Sequence, residues 1–352
     1  MKTKIQVSII LIVIVSSLGF LALHVILTND QVEDNQHVSN SLYINSPSPK
    51  QLIELYPPQT IWPRTQSVYG NLTQYFVVLN CTIPIYISTA PLLVQYNTSA
   101  TEIQAKEIAD KIFGMKNVTV LEPMYRGEIT LATENKREAL EVHSLNILSY
   151  SNNDWSGVKS NSSIREIADD LTKLLDDYWL FDTDVVRNFT DIRPSAWSTE
   201  TSLNGTIISS KTTLYRVLYS YYVNKIPIVG AGAAFNYDFH GSTINSAILR
   251  LPVVKVAGIQ NVTITPDQAL QNFISGWGVS GGIVPVPMID SLPKTGTCVI
   301  NSIKLVYYSD WGFKSQYRRY PVLLYEISGK LEYLENGKEV SELFTTYEYA
   351  TD

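Results

Sequence analysis

At 352 residues the chain has room for two or three domains with cores of their own. Its 45% hydrophobic and 11% aromatic content belongs to folded protein and excludes a disordered chain. With 27 Lys and Arg against 33 Asp and Glu, a net charge of -6, it lacks the basic face that nucleic-acid binding requires.

Ile5 to Leu27 is almost wholly apolar, and its 23 residues exceed the roughly 20 that span a bilayer as a helix. Lys2 and Lys4 precede it. The positive-inside bias therefore predicts a cytoplasmic N-terminus, a transmembrane signal anchor over 1–28 and an extracellular remainder. The alternative is a cleaved signal peptide, but no small-x-small site follows the apolar run. Eight N-x-S/T sequons fit the outside placement: Asn71, Asn80, Asn97, Asn117, Asn161, Asn188, Asn204 and Asn261.

Residues 29–65 carry Pro47, Pro49, Pro57, Pro58 and Pro63 among polar residues, which predicts an extended stalk. A first module is expected over 66–155. It has strands at Tyr75–Leu79 and Ile83–Tyr96, a helix opened by the capping box Ser99-Ala-Thr-Glu102, and strands at Val118–Leu121, Met124–Ala132 and Ala139–Ser149. A second module, 156–262, opens with the box Ser163-Ile-Arg-Glu166. After its helix the residues to Ser202 read as irregular. Leu214 to Leu251 then alternates in aromatic and β-branched residues, a three-stranded meander with a turn at Asp238–Gly241. A third module, 263–352, opens with Thr265-Pro-Asp-Gln268. Its strands are Cys298–Tyr308, Tyr320–Ile327, Lys330–Leu334 and Ser341–Tyr349, with a type I′ turn at Asn336-Gly337. The expected fold class is α+β: an N-terminal transmembrane helix, then repeated modules of one helix packed on a curved antiparallel sheet.

Asn224-Lys-Ile-Pro-Ile-Val-Gly230, followed by Asp238 and Gly241, resembles the hairpin of FTP and PepSY domains. Ile264-Thr-Pro-Asp-Gln-Ala-Leu270 is similar to the PepSY helix start. Ile303-Lys-Leu-Val-Tyr-Tyr308 and Tyr320-Pro-Val-Leu-Leu-Tyr325 are similar to the strands that follow. The resemblance covers roughly 160–350, in an order found in YycH/YycI-type extracytoplasmic regulators; Lys225 stands where the family has glycine. It implies binding without catalysis: modulation of a membrane partner such as a sensor kinase, or of a peptidase.

Gly278-Val-Ser280-Gly-Gly282 formally fits a nucleophile elbow, but a helix precedes it where a strand is needed. His143 and His240 lack a His-x-x-x-His or Cys companion, so neither a metal nor a cofactor is expected. Cys81 and Cys298, the only cysteines, predict a disulfide outside the cell, with two buried thiols as the alternative. Tyr308, Trp311, Tyr317, Arg318, Arg319 and Tyr320 form an aromatic-basic stretch, the expected partner contact. The expected function is that of a membrane-anchored extracytoplasmic regulator with no catalysis of its own. A structural surface glycoprotein is the alternative, and an extracellular hydrolase the remote one.

Overall fold

Alternation with a period of two dominates the chain, and it builds far more sheet than helix. The computed structural model describes residues 42–44, 65–66, 69–95, 99–122, 128–153, 162–181, 183–201, 207–230, 234–250, 253–279, 295–309 and 321–351. In chain order the elements begin with β1 (Leu42–Ile44), β2 (Thr65–Gln66), β3 (Phe76–Leu79), β4 (Thr89–Gln95), α1 (Glu102–Lys111), β5 (Val118–Leu121), β6 (Ile129–Thr133), β7 (Glu138–Ser144) and β8 (Ile147–Asn152). Next come α2 (Ile164–Tyr178), β9 (Trp179–Phe181), β10 (Val186–Thr201), β11 (Ile207–Val223), β12 (Ile226–Val229), β13 (Ala234–His240), β14 (Thr243–Arg250) and β15 (Val254–Asn261). The chain closes with α3 (Pro266–Ile274), β16 (Trp277–Gly278), β17 (Thr297–Tyr308), β18 (Val322–Glu335) and β19 (Lys338–Tyr349).

Thirteen strands form one mixed sheet in the order β19-β18-β17-β12-β11-β13-β14-β8-β7-β6-β5, with β10 on β11 and β3 on β17. This overturns the expectation of three like modules. The ladder β8–β14 crosses the first expected boundary, and β12–β17 crosses the second. The pairs β3–β17 and β4–β15 tie the first expected module to the third and second. One main apolar cluster runs through all three stretches, from Ile108 and Leu140 through Tyr237 to Phe273 and Ile327. Local periodicity specifies strands but not their partners, and here the partners are remote in sequence. Among the described residues no helix is long and apolar enough to cross a membrane; the expected anchor Ile5–Leu27 and most of the stalk lie outside them.

Three helices stand among the described residues, each with a polar start. In α2, Ser163 and Glu166 exchange hydrogen bonds as the box requires. In α3, Thr265 and Gln268 do the same, behind Pro266. For α1 the cap is Thr101 with Gln104, two residues beyond Ser99. Ile103 is 79% exposed, while Ala105, Ile108 and Ala109 are buried. Phe113, just past α1, stacks on Tyr150 of β8 with ring centroids 4.1 Å apart. Tyr237 of β13 donates to the carbonyl of Ala168 in α2 at 2.9 Å. Phe273 of α3 lies 5.3 Å from Phe344 of β19.

Residues 186–201, expected to be irregular, form β10, paired along nearly all of β11. Pro194 is tolerated because it sits at a register shift in a strand whose ladder runs to β11 alone. Ala139–Ser149, expected as one strand, is the hairpin β7–β8 around Leu145-Asn146. Conversely β18 runs unbroken through Gly329, where a Cβ would stand 2.0 Å from the Val299 carbonyl oxygen.

The meander is rearranged around β12. Asn224 (φ 49°) and Lys225 (φ 68°) make a type I′ turn that folds β12 back on β11, pairing Val223 with Ile226. The chain then leaves at Gly230 (φ +101°), and β13 takes up the same edge of β11 further along. The other edge of β12 pairs in parallel with β17, Ile228 opposite Tyr307 and Val229 opposite Tyr308. The turn expected at Asp238–Gly241 falls later, at Gly241-Ser242, which leaves Asp238 inside β13.

A Cβ at Gly230 would meet the Ser309 carbonyl oxygen at 2.6 Å, beside the bond from Ser309 N to the Val229 carbonyl. Gly230→Ala is expected to destabilise the fold by about 2–3 kcal/mol, from the contact and the positive φ together. Lys225→Gly should act oppositely, gaining about 0.5–1 kcal/mol because a side chain no longer occupies the left-handed region. Denaturant melts of the two variants test both signs; equal effects would remove the strain from the account.

Candidate functional site

On β7, Leu140 and Val142 point to the core beneath α1, so Glu141 falls on the opposite face. The register between β7 and β8 shifts between Val142 and Ser144, which places a bulge at His143. Ile129 pairs with Val142, so Glu128, one residue earlier, lies across from His143. Glu128, Glu141 and His143 thereby converge, with one ligand-capable atom from each within 4.8 Å of the others. His143 Nε2 stands 3.9 Å from Glu128 Oε1. Ser149 of β8 donates to Glu141 Oε2 at 2.9 Å and orients that carboxylate. Glu128 is 8% exposed, and its Oε2 has no hydrogen-bond partner. Burying a carboxylate oxygen unpaired is costly unless a cation or donor meets it. This is the one cluster of metal-ligand residues among the described residues.

A second polar centre is structural. Arg216 of β11 forks onto Asp238 of β13, Nε to Oδ1 and Nη2 to Oδ2, both at 2.8 Å. Ser246 of β14 adds a bond to Oδ2 at 2.8 Å. These three residues sit on paired positions of adjacent strands, so the ladder sets the geometry. Burial pushes the Asp238 carboxyl up, but the bonds from Arg216 and Ser246 outweigh it and leave it below the usual range.

The tyrosines are mostly packing. Burial raises the hydroxyls of Tyr221, Tyr237, Tyr307 and Tyr347, so all four remain protonated at neutral pH. Tyr307 donates to the Pro91 carbonyl at 2.5 Å and Tyr325 to that of Ile264 at 3.0 Å. Their hydroxyls fasten β17 and β18 to β4 and to the start of α3.

The sequence-predicted sites are scattered. Of the contact stretch, Tyr308 is buried at 3% exposure and packs edge-on against Tyr347, so it is not an exposed aromatic. Trp311, Tyr317, Arg318, Arg319 and Tyr320 lie outside the described residues, as does Ser280 of the elbow-like motif. Among the sequons, Asn71, Asn80, Asn117, Asn188 and Asn261 are all exposed; Asn97, Asn161 and Asn204 lie outside the described residues. Asn80 spends its Nδ2 on Asn301 at 3.2 Å.

Cys81 and Cys298, expected as a disulfide or as two thiols, stand apart as free thiols in the structure. The parallel register sets Cys298 opposite Val77, so Cys81 follows four residues further along. Four extended residues span about 13 Å, and Asn80 still tracks β17 by its bond to the Ile300 carbonyl, so Cys81 lies well past the roughly 7 Å that a disulfide bridges. Burial pushes the Cys298 thiol up to about 12, so it is not a reactive thiolate.

No family model matches the chain, and no curated protein matches it. Among solved structures, an uncharacterized protein from Eubacterium rectale is similar over 86% of this chain and 95% of its own, with 11% identity and a TM-score of 0.44.

Arg216→Met is expected to cost about 1–3 kcal/mol at pH 7, since it strands a buried carboxylate while the lost guanidinium was itself 42% exposed. The wild-type Asp238 contribution is present above the unfolded carboxyl pKa and is lost as pH falls through the lowered folded value. In the variant the Ser246 bond remains but the guanidinium's bonds and charge are gone, so that carboxyl rises relative to wild type. The stability gap should therefore narrow as pH falls through about 4. Urea melts across pH 3–7 would show it; a constant gap would contradict the assignment.

Proposed function

We propose that the protein is a membrane-anchored extracytoplasmic binding and regulatory protein that modulates a membrane partner or a peptidase and performs no chemistry itself. The observation that carries the reading is the conjunction of Lys2, Lys4 and the apolar Ile5–Leu27 with sequons whose five described asparagines are all exposed. A chain held at the outer face of a membrane would present those five side chains to solvent. The similarity of Asn224–Gly230 and Ile264–Leu270 to PepSY-type segments adds support for binding. The implied repeat of small modules does not form part of the reading, because one sheet runs across them. The type I′ turn at Asn224-Lys225 supports the local likeness, since that turn favours the family's glycine.

Exposed stretches for a partner are present. Between β3 and β4 the chain shows Ile85 at 92% exposure, with Tyr86 and Ile87 beside it. Phe76 of β3 and Ile259 of β15 are exposed as well. The same sequons fit a structural surface glycoprotein, and the two readings part on what the protein holds.

The test is fractionation followed by cross-linking in the native membrane. Under the proposal the full chain stays with membranes after carbonate washing, intact cells leave it open to added protease, and one integral-membrane kinase or a peptidase is captured stoichiometrically. A chain in the soluble fraction would contradict the anchor. Cross-links to copies of itself alone would contradict regulation and favour the structural role.

A further inference from the structure

We propose that Glu128, Glu141 and His143 bind one divalent first-row transition-metal cation of the Zn2+ class, at β7 and the start of β6 on the face opposite α1. Glu141 and His143 are two apart on β7, and the cross-strand register brings Glu128 to them. Glu141 and His143 are thus set by the β7 ladder, and Glu128 immediately precedes β6, next to the Ile129–Val142 pair. The Glu128 carboxylate is the second, separate indication. Its side chain is 4% exposed and sits 3.9 Å from His143, with Oε2 unpaired. The oxygen that faces His143 is Oε1; a cation bound there would neutralise the carboxylate and offset the cost of burying it.

The donor set selects the class of ion. An imidazole favours a transition metal over calcium or magnesium. Calcium takes six to eight oxygen ligands, which two carboxylates do not approach. A tetrahedral ion with bonds of about 2.0–2.1 Å needs ligand atoms about 3.3 Å apart. The 3.9 Å between His143 Nε2 and Glu128 Oε1 must close by about 0.6 Å, and the other pairs, which lie within 4.8 Å, by up to about 1.5 Å, a change side-chain rotation can supply. Three protein ligands leave the fourth position for water or for a donor from a partner. Ser149, bound to Glu141 Oε2 at 2.9 Å, supplies the supporting hydrogen bond and leaves the other oxygen of Glu141 for the ion.

The inference does not rest on the anchored, regulatory reading, and its test uses neither a partner nor a membrane location. The full chain, purified in detergent and stripped with chelator, is dialysed against Zn2+ and assayed for bound metal and for melting temperature. The expected result is one zinc per chain and a melting temperature that rises with zinc concentration. His143→Gln removes the one nitrogen ligand and is expected to weaken zinc binding by at least the roughly 10–100-fold that loss of a mere supporting partner costs. Glu128→Gln should lose the zinc response yet melt, metal-free, at or above the wild-type temperature, because the buried charge is gone. Zinc held equally by both variants would overturn the site, as would no retained zinc in the wild type. Stabilisation by Ca2+ or Mg2+ with none by Zn2+ would overturn the choice of ion. Should His143→Gln fail to fold, the isosteric Glu128→Gln decides alone: zinc retained there sinks the proposal.

Discussion

The four residues of β12 hold the sheet together. Ile226, Pro227 and Ile228 pair antiparallel with β11, while Ile228 and Val229 pair in parallel with β17. Without that strand the ladder falls into a half running from β5 to β11 and a half made of β17, β18, β19 and β3. The type I′ turn delivers β12 to β11, and Gly230 releases it again just as the Ser309 backbone comes close. Only a residue without Cβ permits both the positive φ and the contact. Pro227 is compatible with the position because it faces Tyr222 at the end of a short hairpin, not the middle of a long ladder.

From this joint the placement of the other parts follows. Toward β5 the sheet carries α1 on one face and the Glu128, Glu141 and His143 cluster on the other. Toward β19 it carries α3 and the aromatic contact of Phe273 with Phe344. Between them β11 and β13 hold the Arg216–Asp238 pair and the tyrosines that support α2. Buried polar groups here are anchored on backbone carbonyls or paired strands, which fixes the packing of each helix. Glu128 Oε2 departs from that pattern, as Gln95 Nε2, Tyr221 Oη and Glu342 Oε2 do; what sets Glu128 apart is that its other oxygen faces His143 at 3.9 Å within a cluster of ligand-type side chains.

Much of the local structure was legible in the sequence. The capping boxes at Ser163 and Thr265 and the turn at Asn336-Gly337 need only short-range chemistry, and they form as read. The α1 cap falls at Thr101 and not at Ser99 because Ser99-x-x-Glu102 and Thr101-x-x-Gln104 overlap, and both read as capping boxes in the sequence. The strand β10 was hidden by Arg187, Asp191, Arg193 and Pro194, residues that a one-sided strand tolerates. The turn at Leu145-Asn146 lacks the Gly or Pro that usually marks a hairpin. Strand order was not legible at all, since the β12–β17 and β3–β17 contacts depend on tertiary pairing. The metal-ligand cluster was missed for a related reason. Glu141-x-His143 has strand spacing, with a period of two, and its third member arrives only through the register with β6.

One sheet, continuous through β12, makes the described residues a single cooperative unit. Native-state amide hydrogen exchange read residue by residue tests it most directly. If β12 joins the halves, the slowest amides of β11, β13 and β14 open with the same free energy as those of β17, β18 and β19, and they respond together to added denaturant. If either half opens at clearly lower free energy while the other stays protected, the joint is not what holds the molecule together, and the chain is two domains.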